Sequence, residues 1–181
     1  MNQLPLAARL YVIGIIASAS ALLAVFGAVP TWGELPIFLG LGLGMVLAAA
    51  LKLRLPTTKN RATMSMSFVI DFASLLLLGP HKTMLIAAIG GISQSTVRVE
   101  HRNPLHRILF NVASLVITVE AAGAMYGLFG GTVAPLGWPQ SATAIVAGVC
   151  SYFMVNSGAI AVAIALSTYQ PVRREIGRAH V

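Results

Sequence analysis

The sequence predicts an all-α integral membrane protein, a compact bundle of six transmembrane helices with both termini in the cytoplasm. Three observations carry that expectation. Of the 181 residues, 57% are hydrophobic and 9% charged, and mean hydropathy is +0.83. The apolar residues form long continuous runs, and most cations fall between alternate runs. Soluble domains hold about one-quarter charged residues, so a water-soluble core is excluded. A crossing needs about 20 largely apolar residues, which leaves room for several spans and none for a soluble catalytic domain. Residues 1–181 are therefore expected to form a single membrane domain.

The first run, 10–29, follows Arg9 and imitates a signal peptide, but its length and the runs after it make it an uncleaved span. It ends at Pro30, and Trp32 in the next segment suits a membrane interface. The second run, 36–51, leads into Lys52, Arg54, Lys59 and Arg61, a cytoplasmic loop that also holds Pro56. The third, 64–78, is closed by Gly79-Pro80-His81-Lys82, and the fourth covers 83–97. Both are short and are expected to tilt or to cross only in part. A polar block from Arg98 to Pro104 precedes the fifth run, 105–129. An uncharged Gly/Pro-rich segment with Trp138 leads to the sixth, 141–168, and a cationic tail with Arg173, Arg174 and Arg178 follows.

Lys and Arg accumulate in short cytoplasmic segments. With the N-terminus inside, every one of the 12 Lys and Arg residues falls on the cytoplasmic side except Lys82. The same placement explains a pI of 10.4 through contact with anionic lipid, without nucleic acid as a partner. The chain is expected to cross its membrane many times, with the cationic segments on the cytoplasmic side. Strands are not expected, because the runs do not alternate as a membrane barrel requires. Small residues at Gly40 and Gly44, Gly123 and Gly127, Gly90-Gly91, and Ala17 with Ala21 offer close helix contacts. The glycines of 40–44 lack the strand and acidic partner of a nucleotide loop.

Two carboxylates fall inside apolar runs, where ionisable groups are expensive enough to mark candidate sites. Asp71 shares a helical face with Ser67 and Ser74, at i, i+4 and i+7, a narrow polar stripe facing the bundle interior or a wet cavity. It suits ligand binding or a proton relay, and equally a structural carboxyl held by a neighbouring helix. Glu120 lies on the opposite face of its helix from Asn111, Ser114 and Thr118, which read as interhelical hydrogen-bonding groups. Tyr152 and Asn156 share a face of the sixth run and either complete a polar pocket or pair with the fifth helix. Gln94 near a helix end reads as solvated.

The four histidines, at 81, 101, 106 and 180, fall at ends and loops and form no HxxxH or HExxH pair. Cys150 is alone in an apolar run. No metal, no cofactor and no catalytic set is expected, and hence no enzyme.

Three stretches, TMSMSFVIDFASLLLLGP at 63–80, HRNPLHRILFNVASLVITVEAAG at 101–123 and VNSGAIAVAIALSTYQPVRREI at 155–176, resemble a known family. They are similar to the N-terminal multi-helix membrane domain of bacterial signalling proteins that carry GAF, GGDEF or HD-GYP modules. That domain in turn resembles the substrate-binding S-components of energy-coupling-factor vitamin transporters. The resemblance implies a noncatalytic sensor-like domain, multi-pass in the bacterial cytoplasmic (inner) membrane, that binds a small-molecule ligand or senses the membrane, and couples to a protein partner in the membrane or at its cytoplasmic face. No GGDEF, HD-GYP or kinase sequence follows the sixth run, so a fragment, a stand-alone relative and a recruited subunit are all open. An accessory or structural subunit of a larger membrane complex and a vitamin-type transporter component are the competing expectations.

Overall fold

The computed structural model describes residues 4–50, 53–54, 63–64, 67–97, 103–134, 137, 139 and 141–168. Within them are six helices, α1 (Leu6–Phe26), α2 (Leu35–Ala50), α3 (Ser67–Leu78), α4 (Pro80–Thr96), α5 (Leu105–Leu128) and α6 (Ser141–Thr168). One two-residue antiparallel ladder, β1 (Leu53–Arg54) with β2 (Thr63–Met64), joins the ends of the segment between α2 and α3. The remaining cationic positions of that segment, the block 98–102, Trp138 and the tail beyond 168 lie outside the described residues.

The expected runs and the helices agree closely at α2, α5 and α6. Elsewhere the boundaries move. α1 begins at Leu6, directly after Pro5, whose missing N–H is harmless where the first helical donors have no partner. Arg9 therefore sits in the first turn of α1 and not before it. Met64 belongs to the ladder, so the third helix starts only at Ser67.

α4 begins at Pro80, the position a proline tolerates best, so His81 and Lys82 are helical and not part of a loop. The break between α3 and α4 is Gly79, at φ 80°, a conformation that side chains rarely adopt. Its N–H still closes onto Leu75 O at 3.0 Å, so α3 ends and α4 starts within one residue.

At a rise of about 1.5 Å per residue, α1, α5 and α6 are each more than about 30 Å long and match the hydrocarbon core of a bilayer. These three are long and apolar enough to cross a membrane. α2 and α3 are apolar but shorter, with 16 and 12 residues.

α5 is the hub. It packs on α4, α6 and α1, while α2 lies against α4 and α3. Leu75, Ala87, Leu115, Val119, Ala122, Tyr126, Ala144 and Tyr152 form the main core cluster. Ala19, Met84, Ala113 and Val116 form a second, and Met45, Leu78 and Ile86 a third.

Closest approach falls on a few small residues. A Cβ on Gly91 would stand 2.8 Å from Val112 Cα, and one on Gly123 would collide with the Pro80 ring. Gly90 gives room to the Met45 thioether. By contrast, Gly40 and Gly127 face open space and Ala17 and Ala21 are exposed, so only one glycine of each expected pair, Gly44 against Ile70 and Gly123 against Pro80, makes a close contact among the described residues.

Candidate functional site

The stripe Ser67, Asp71 and Ser74 faces inward along α3, at 6%, 1% and 0% exposure. The period of the helix puts all three on one side; α3 packs on α4, α2 and α5, and Asp71 reaches α6. Ser74 Oγ donates to Ile70 O at 2.7 Å, one turn back, which removes its proton from any relay. Asp71 is therefore the polar centre.

Its partner comes from α6. Tyr152 Oη donates to Asp71 Oδ2 at 2.7 Å, a buried bond between residues distant in the chain. Asp71 Oδ1 has no hydrogen-bond partner among the described residues. Phe68 meets the Tyr152 ring edge-on with centroids 5.2 Å apart, and Phe72 tilts against Phe68 at 6.0 Å. Gly148 lets this aromatic group close, since a Cβ there would stand 3.3 Å from Phe72 Cζ.

Tyr152 occupies a boundary on α6. Ser141, Ala144, Gly148 and Tyr152 follow one helical face and are buried; from Phe153 to Ser167 no residue is buried. The first half of α6 is thus core, and Tyr152 is where the helix leaves it. Past that point Tyr11 Oη donates to Ala159 O at 3.2 Å, a contact from α1. An open crevice of about 300 Å³ lies beside it between α1, α5 and α6.

The other expected residues sit elsewhere. Asn111 Nδ2 donates to Gly91 O at 3.2 Å and Ser95 Oγ at 3.1 Å, tying α5 to α4. Ser114 and Thr118, one and two turns further, are 3% and 0% exposed, and their hydroxyls lack partners among the described residues. Asn156 is half-buried on α6 and does not join the Asp71–Tyr152 pair. Glu120 Oε1 lies 3.4 Å from His81 Nδ1, with the imidazole stacked on Phe26 at 5.4 Å. Glu120 thus belongs to a different cluster, at the bundle end where α1 finishes and α4 starts.

The same end holds a pair that the sequence did not announce. Lys82 Nζ donates to Glu34 Oε1, while Thr31 N and Oγ1 donate to Glu34 Oε2 at 2.9 and 2.8 Å. The Lys82 hydrogen bond, then those from Thr31, pull the Glu34 carboxyl down to about 2. The single cation that broke the charge rule is therefore neutralised by a carboxylate 48 positions earlier in the chain. Among the described residues no group of three or more His, Cys, Asp or Glu is placed to hold a metal.

A helical domain with three membrane-length apolar helices and a buried acidic residue hydrogen-bonded from one helix to another defines a membrane-associated class of protein. The chain belongs to the MASE9 family, whose model matches residues 36–179, one of the MASE families of membrane-associated sensor domains. No curated protein and no solved structure matches it.

Proposed function

We propose that the chain is a noncatalytic sensor domain of the bacterial inner membrane that crosses six times with both termini cytoplasmic. It binds a small ligand at the Asp71–Tyr152 seam and passes the change along α6 to a cytoplasmic partner. The observation that carries this reading is the bond from Tyr152 to Asp71 at the position where α6 leaves the core. A buried carboxyl with one open oxygen is costly unless a partner arrives, and a ligand donor meeting Oδ1 supplies one. Membership of a sensor-domain family supports sensing, and the cation distribution supports the orientation.

The test is thermal unfolding in mild detergent across a panel of small amines, polyols and vitamins. A compound that raises the wild-type midpoint by several degrees should leave Asp71→Asn unmoved. Equal shifts in both proteins would remove Asp71 from binding. For topology, in a Cys150→Ser background, Ala134→Cys should react with an impermeant maleimide in intact cells, and Pro104→Cys only after lysis.

A second reading, a subunit docked within a larger membrane complex, draws on the outward apolar faces of α1 and α6, where Val25, Val146 and Phe153 are exposed. Purification at native expression as a free monomer or homodimer counts against it.

A further inference from the structure

We propose that the crevice between α1, α5 and α6 is a second binding site, for an uncharged alkyl chain ending in a hydroxyl or carbonyl oxygen. It is separate from the Asp71–Tyr152 seam and does not depend on it. The crevice measures about 300 Å³ and is lined by Ile15, Ile117, Met154 and Gly158, with Tyr11 and Ser114 as its polar groups. A space of that size is at the lower end for a small-molecule pocket.

Its three walls are the three helices of membrane length, so its open side faces lipid and its occupant arrives through the membrane. No charged side chain lines it, which rejects an ion.

The Ser114 hydroxyl supplies the specificity. It is 3% exposed, lines the crevice and has no hydrogen-bond partner among the described residues. A buried hydroxyl without a partner favours any ligand oxygen that accepts its proton. Tyr11 commits its own proton to Ala159 O, leaving its oxygen to accept one from a ligand hydroxyl. A plain alkane satisfies neither group. Because the crevice lies against the half of α6 beyond its last buried residue, an occupant there wedges between α6 and α1.

Gly158 offers a clean way to fill the site, since a Cβ there meets nothing within 4 Å. The protein is placed in phosphatidylcholine nanodiscs with a trace of a diazirine-bearing long-chain alcohol, and labelled peptides are mapped by mass spectrometry. Ile15 and Ile117 should be labelled at least about fivefold more than outward-facing Phe153 and Ile164. Excess dodecan-1-ol or monoacylglycerol should compete while dodecane does not, and the better competitor at equal mole fraction distinguishes a free alcohol from a membrane lipid.

Gly158→Leu should abolish the selective labelling with an unchanged thermal midpoint. Ser114→Ala should lower it at least threefold. Even labelling of all four positions, or labelling unaffected by Ser114→Ala and equally competed by dodecane, would show ordinary annular lipid and overturn the site.

Discussion

The bundle has a dense half and a loose half. In α5, 44% of the membrane-length window is buried, against 11% in α1 and 6% in α6, although all three have nearly the same hydropathy. α4 and α5 meet through glycines, with Gly91 against Val112 and Gly123 against Pro80, and a hydrogen bond from Asn111 spans the contact. α6 touches the core only through its first half. Apolarity therefore says that a helix prefers lipid to water, and small residues with matched polar groups decide whether it prefers protein to lipid. The sensing role proposed above draws on this difference, a closely packed frame and beside it a helix with little of its surface buried.

If that contrast is real, substitutions should separate by half. The largest effect is expected for Gly91→Leu, where the new side chain meets Val112 backbone, costing about 3 kcal/mol or more. Its thermal midpoint in mild detergent should fall furthest; a change no greater than that of a surface variant would break the account of the dense half. Tyr152→Phe comes next, because it leaves Asp71 Oδ2 buried without its donor, at a cost of about 1–3 kcal/mol.

A smaller effect is expected from pH. The Glu34 carboxyl is held down at about 2 from its ordinary 4.5 by Lys82 and Thr31, so its contribution is present above pH 4.5 and lost as pH falls toward 2. Unfolding followed over that window should be less acid-sensitive in Glu34→Gln than in wild type. The smallest effect is expected for Phe153→Ala on the outer face of α6, within about 0.5 kcal/mol. A large loss there would mean that the loose half is held by contacts other than those described.

Much of this arrangement was legible in the chain, and the misses have physical causes. The ends of α2, α5 and α6 followed the apolar runs because polar letters and helix ends coincide there. At α4 they do not. Pro80, His81 and Lys82 look like loop residues, yet proline suits a first helical turn and the two after it reach Glu120 and Glu34.

Asp71, Ser67 and Ser74 were readable as a stripe because helical period alone puts them together. Period cannot choose a partner on another helix. Tyr152 emerged only as one of a polar pair with Asn156, and the structure uses the first without the second. Glycine spacing was a weak guide for a similar reason: Gly40 and Gly127 share the motif of Gly123 but have nothing facing them.

The central claim is that the bond between Asp71 and Tyr152 governs the half of α6 that has left the core. Paired spin labels at Leu109 and Ile164, both exposed, report the distance from α5 to the far part of α6, and labels at Ile92 and Leu109 report α4 to α5. Measured by double electron–electron resonance in nanodiscs on a Cys150→Ser background, Tyr152→Phe should lengthen and broaden the first distribution and leave the second unchanged. If the first distribution stays as in the wild type, or both shift together, the bond does not control α6 and the proposed route of signalling fails.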